Sequence, residues 1–224
     1  SLAGLYLLCL AGHDTLTLTG GEWMLLLCSL LCLYVLHVLE RTVVETNTAL
    51  TAYVQKSVDT RLEELHRYST TIEITHANTL LKNLRELPGT LPAQAYQLSV
   101  TLRDFLVTNK LARGVYLYYP RTGLVVGNMG CFEAASYYAL QGVPQREGYD
   151  AWLAELTKSH DTRFMLLQMP KDERLCYVRE MRMTGEIAAV VVIEIDREEL
   201  LRAFDAAGLP GDSATGVLLD GQLV

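Results

Sequence analysis

The chain opens as a run that is apolar on every face of a helix and then changes to a one-sided pattern. The 17 residues from Trp23 to Leu39 (WMLLLCSLLCLYVLHVL) carry no formal charge at neutral pH. As a helix they span about 25 Å, against roughly 30 Å for a bilayer's hydrocarbon core, which is sufficient with the flanks. Trp23 and Tyr34 suit the two interfaces, and His37 is a polar intrusion near the exit. A buried core helix is the competing reading, but such helices seldom run apolar all round for this length. A cleaved signal peptide is the other, but no small-x-small site follows the run. The pattern predicts an uncleaved transmembrane helix over 23–39, preceded by a poorly defined segment over 1–22.

Beyond Leu39, Leu50, Val54, Val58, Leu62, Leu65, Tyr68 and Ile72 recur every three or four residues, predicting a long helix over 40–87 with one apolar stripe. Thr70, Thr71, Ile72, Ile74 and Thr75 form a β-branched patch that weakens it locally, and Pro88-Gly89 ends it. A second helix is predicted over 91–108, with Tyr96, Val100, Phe105 and Leu106 as candidate core. The period then becomes two. In Gly114–Tyr119, Val115, Leu117 and Tyr119 share one face while Tyr116 and Tyr118 share the other, as in a strand covered on both sides. Pro120–Gly123 has turn chemistry, and Leu124–Gly127 reads as the returning strand. A Tyr-rich excursion follows, with a short helix over 150–157. Strands over 163–168, 173–179 and 186–195 and a closing helix over 196–206 complete an α+β arrangement of a mostly antiparallel sheet fronted by a long helix.

Charge sharpens this division. All 19 Lys and Arg lie beyond residue 39, and the first 39 residues hold only Asp14 and Glu22. A net charge of −7 without a basic run excludes a nucleic-acid-binding surface within this stretch. The positive-inside rule finds no cation in 1–22 and Arg41 just downstream, so charge alone leans against an outside location for the rest. Candidate chemistry is sparse. There is no Lys-Ser/Thr phosphate loop, no His-x-x-x-His or Cys-x-x-Cys pair and no nucleophile elbow, and Cys28 and Cys32, one turn apart, lie inside the apolar run as small packing residues, so neither catalysis nor a cofactor is expected here. Cys131 and Cys176 are the two thiols beyond the apolar part and form a possible disulfide if they lie outside the cell; two idle thiols are the alternative. The chain begins with Ser and ends as if entering a strand, and it is read as a fragment.

The order of a membrane span, the helix VDTRLEEL (58–65), the hairpin GVYLYYPRTGLVV (114–126), the loop segment YDAWL (149–153), the strand VVVIEID (190–196) and the helix REELLRAF (197–204) resembles the N-terminal half of a double-Cache sensor domain. These are PAS-like extracytoplasmic input modules of bacterial membrane receptors. The resemblance covers roughly 40–206, and GVLLDGQLV (216–224) resembles the opening of the second, membrane-proximal subdomain. It implies a long helix over 40–87, a membrane-distal PAS-like subdomain over 88–206 and a truncated second one over 207–224. It also implies a cell-membrane location with the sensor outside.

Among known outputs, VDTRLEELHRYSTTI looks most like membrane-bound AraC-type helix-turn-helix regulators, whose DNA-binding part would lie outside this stretch. Sensor histidine kinases, cyclases and chemotaxis receptors are the alternative, and a non-sensing dimerisation domain is the second. The implied partners are a small extracellular solute or a partner protein, the membrane, and a second copy in a homodimer. The implied pocket lies between the sheet and the Tyr-rich loop. Tyr116, Tyr118, Tyr137, Tyr138, Tyr149 and Trp152 would line it, with Arg146, Arg163 or Arg179 meeting a carboxylate. The competing reading makes the tyrosines core, Trp152 a helix anchor and the arginines solvated. The Arg-x-Trp-Tyr pattern of amino-acid-binding members is missing, since Arg146 is followed by Glu147-Gly148-Tyr149 and Trp152 by Leu153.

Overall fold

The computed structural model describes residues 20–86, 93–142, 146–158, 162–205, 218–219 and 222–223. The chain divides into two compact units, 1–51 and 52–224. In the first, helix α1 begins at Gly20 and continues to Glu73 in the second. Its first turns are long and apolar enough to cross a membrane, and none of that stretch is buried within the chain.

The predicted helix over 40–87 is in fact two helices. α1 stops at Glu73, inside the β-branched patch, and α2 runs from His76 to Lys82. Thr75 makes the break: its backbone is extended (φ −63°, ψ 143°) and its hydroxyl accepts from the Asn78 N–H, capping α2. The next helix, α3, spans Ala93–Thr108. It buries Ala95, Leu98, Ser99, Leu102 and Phe105, spaced three and four apart apart from the Leu98-Ser99 step. Tyr96, expected in the core, is 71% exposed because it falls one residue, about 100°, from that face.

A six-stranded, wholly antiparallel sheet follows: β1 Ala112–Tyr119, β2 Leu124–Gly127, β3 Gly130–Glu133, β4 Thr162–Gln168, β5 Glu173–Met183 and β6 Glu186–Ile195. Its order is β3-β2-β1-β6-β5-β4. The central pair β1 and β6 register Tyr116 against Val192 and Leu117 against Val191. Helix α4 (Ala134–Leu140) and α5 (Arg146–Thr157) sit in the excursion between β3 and β4, and α6 (Arg197–Asp205) leaves β6. A two-residue pair, β7 Leu218–Leu219 and β8 Gln222–Leu223, lies near the C-terminal end. This is an α+β, PAS-like architecture, an antiparallel sheet flanked by helices.

Strand parity sorts the core into two layers. Val115, Leu117, Tyr119, Tyr177, Val191 and Ile193 face Leu65 and Ile72 of α1, Leu81 of α2 and Leu98 and Leu102 of α3. Tyr116, Tyr118, Val178, Val190 and Val192 face the other way, against Tyr137 and Tyr138 of α4 and Trp152 and Leu156 of α5. This parity argues for the second of the two alternatives, idle thiols, over the possible disulfide. Cys131 on β3 packs with the α1 layer and Cys176 on β5 with the α5 layer, and both are free thiols. Three strands separate them, a distance of roughly 19 Å at the usual strand spacing, far beyond disulfide reach.

Candidate functional site

All six aromatics singled out in the sequence meet on the α4/α5 face of the sheet. β1 sends Tyr116 and Tyr118 there by its alternation, α4 supplies Tyr137 and Tyr138 side by side, and α5 brings Tyr149 and Trp152 one turn apart. Trp152 is the hub. Its ring centroid lies 5.4 Å from Tyr138, 6.0 Å from Tyr149, 6.2 Å from Tyr118 and Tyr137 and 6.4 Å from Tyr116. Its indole N–H donates to the Tyr116 hydroxyl at 3.4 Å. Tyr116 and Tyr137 pack at 4.8 Å. Gly148 admits this arrangement, since a Cβ there would stand 2.7 Å from the Tyr138 hydroxyl.

The arginines divide. Arg179 lies on β5 with the opposite parity and points to α1, where it pairs with Glu73 at 2.6 Å. Arg163 donates to the carbonyls of Lys158 and Glu155 at the end of α5, which makes it a cap for that helix. Arg146 begins α5, and its side chain lies outside the described residues.

A different arginine stands on the aromatic face. Arg174 of β5 donates to Glu194 of β6 at 2.9 Å, to Asp172 at 2.9 Å and to the Gln141 side chain at 3.1 Å. Both partners of the central pair are largely buried, with 14% and 8% of their side chains exposed. Burial works against the Arg174 charge, but Glu194 and Asp172 outweigh it and raise its pKa. Gly114 leaves room for the carboxylate, because a Cβ there would stand 2.9 Å from Glu194 Oε2. Arg174 and Glu194 also line a cavity of about 390 Å³, together with Asp172, Arg113 and Arg197. A larger groove, about 650 Å³, is lined by α1 and the α3–β1 turn, and neither it nor the smaller cavity is lined by any of the six aromatics. Sequence reasoning passed over Arg174 and Glu194, although Glu194 carried a signal: an acid inside the apolar run EIAAVVVIEI of a central strand.

Burial, followed by neighbouring ionisable groups that include Glu194, pushes the phenols of Tyr116 and Tyr137 well above their ordinary value of 10.0. The site therefore offers neutral hydroxyls beside one buried ion pair. Both folded values are raised, so the stability these phenols confer is complete below the unfolded tyrosine value and drains as the pH rises above about 10. Thermal melts are expected to be insensitive to these groups up to that pH and to fall above it. Ionisation of the two phenols in the still-folded chain, seen by ultraviolet titration, would contradict this.

No family model and no curated protein matches the sequence. Among solved structures, the chain is similar to the domain of a sensory box/GGDEF family protein from Vibrio parahaemolyticus, at 10% identity and a TM-score of 0.45, covering 67% of this chain and 59% of that one. It is also similar to the ligand-binding domain of the Pseudomonas aeruginosa amino-acid chemoreceptor PctC in complex with GABA, at 13% identity and a TM-score of 0.39, covering 71% and 65%. A third is the sensory domain of the Campylobacter jejuni chemoreceptor Tlp3 with isoleucine bound, at 15% and 0.37, covering 70% and 63%. The chain thus spans about three fifths of the length of these structures. Likeness at these values is of the general course of the chain alone.

Proposed function

We propose that this chain is the extracytoplasmic input of a membrane-anchored signal-transduction protein, and that it binds a small polar solute on the α4/α5 face of its sheet. The observation that carries the reading is the buried Arg174–Glu194 pair set at the end of a six-aromatic layer. A buried ion pair is poor value for stability, since desolvation offsets much of its attraction. Opposite charges beside an open cavity are what a polar ligand needs for orientation, and the buried aromatics pack behind the pair as its rigid support. The apolar part of α1 supplies the anchor in this reading, and the exposed Val43, Val44 and Tyr53 support a homodimer through the same helix. A purely monomeric full chain in light scattering would remove the dimer.

For the output, a sensor histidine kinase, cyclase or chemoreceptor is favoured over an AraC-type regulator. The AraC assignment has no support outside the texture of VDTRLEELHRYSTTI. The test of sensing is thermal stabilisation of the full chain in lipid nanodiscs by a panel of small polar metabolites. A true ligand at 100 times its Kd is expected to add about 2.7 kcal/mol, several degrees in Tm. A panel with no stabilising member, or a shift that survives Trp152→Phe and Arg174→Met unchanged, counts against the proposal.

A further inference from the structure

The solute face and the anchoring helix lie on opposite sides of one sheet, and two strands serve both. β5 presents Cys176 and Val178 to the aromatic layer and Tyr177 and Met181 to the α1 layer. β1 does likewise with Tyr116 and Tyr118 on one side and Tyr119 on the other. Besides the apolar packing of Leu65 and Ile72, a set of polar contacts fastens α1 to those strands. The Tyr177 hydroxyl lies 2.9 Å from His66 Nδ1 and 3.2 Å from Ser69 Oγ. Arg179 donates to Ser69 at 3.3 Å, to Thr70 at 3.2 Å and to Glu73 at 2.6 Å. The Tyr119 hydroxyl donates to Asn78 Oδ1 at 2.8 Å, and the Asn78 amide donates in turn to the carbonyls of Ile72 and Glu73, the last of α1.

The chemistry explains why the fastening sits there. α1 has no basic residue in its last turn, and Glu73 adds a negative charge to the negative end of the helix dipole. Arg179 cancels that charge from the sheet, while Asn78 and Lys82 satisfy the terminal carbonyl groups. Directional hydrogen bonds of this kind hold one register and do not slide as apolar contacts can.

We infer that Arg179, Tyr177 and Asn78 are positioning residues that couple the aromatic face to the end of α1 through β5 and β1, so that a displacement on one face of the sheet is felt on the other. Its purpose rests on the sensor reading, but the coupling is a property of the ligand-free protein and is tested without ligand. The full chain in nanodiscs carries Trp23→Phe, which leaves Trp152 as the sole tryptophan, and acrylamide quenching reports its exposure, 2% in the parent. Arg179→Met and Glu73→Gln cut the fastening from either end. Tyr68→Phe is the control: it removes the bond from α1 to the Thr101 carbonyl of α3 and leaves β5 alone.

The quenching constant is expected to rise about threefold in both fastening variants and to stay unchanged in the control, since sites without shared contacts ordinarily act independently. Unchanged quenching in Arg179→Met and Glu73→Gln, or an equal rise in Tyr68→Phe, overturns the inference. If Arg179→Met loses cooperative melting, Glu73→Gln decides, because it keeps the side-chain volume. Loss in both overturns the inference as well, since the set is then a folding requirement. A metabolite panel without a hit would sink the sensor reading and leave this result standing.

Discussion

Trp152→Ala is expected to cost the second unit about 3–5 kcal/mol, the range for truncating a large buried aromatic. Trp152 is 2% exposed and touches five of the other aromatics on its face, so no neighbour can collapse into the space without giving up a ring contact of its own. The loss also orphans α5. That helix is held to the sheet chiefly by Trp152 and Leu156, and its far end is tied down by Arg163. Urea unfolding of the full chain followed by circular dichroism gives the magnitude. Trp152→Phe is expected to lose less, about 1–2 kcal/mol, since the ring contacts partly survive while the bond to the Tyr116 hydroxyl goes. A Trp152→Ala cost below about 1 kcal/mol, the scale of an ordinary surface change, would mean that α5 is not docked as described.

Much of this layer was legible in the sequence because alternation is a strong signal when one strand carries distinctive side chains. Tyr116 and Tyr118 announce their shared face, and the returning strand at Leu124–Gly127 follows from the turn chemistry between them. The arginines were not legible for the same physical reason in reverse. β5 is covered on both sides, so Leu175, Cys176, Tyr177 and Val178 are all apolar and their pattern does not say which parity faces which layer. Parity is therefore silent on Arg179, which turns away from the aromatics to Glu73, and on Arg174, which lies on their side of the sheet with Glu194. The possible Cys131–Cys176 pairing rests on location alone, and only the strand order places the two thiols apart. The break after Glu73 was half legible: the β-branched residues weaken a helix, but only the capping geometry at Thr75 places its end. Tyr96 shows the limit of periodicity alone, where one residue of phase separates core from solvent.

The Arg174–Glu194 pair makes the second large prediction, and an asymmetric one. Arg174→Met strands Glu194, whose side chain is 8% exposed and has no other cationic hydrogen-bond partner among the described residues, and is expected to cost about 3 kcal/mol, the low end of what breaking a buried pair costs. Glu194→Met strands Arg174 less completely, because Asp172 and Gln141 still accept from it, and about 1–2 kcal/mol is expected. Replacing both with Met removes both desolvation terms at once and is expected to return stability to within about 1 kcal/mol of the parent, since apolar replacements of buried pairs are often neutral or stabilising. The double variant then separates the two roles the pair could have. If its place in the fold is structural, a metabolite that stabilises the parent stabilises the double variant equally. If the pair orients a ligand, the fold recovers while the thermal shift is lost, and that combination is the outcome expected here. Four urea curves and two ligand titrations decide it, and a double variant as unstable as Arg174→Met alone would show that the cost lies in packing rather than in charge.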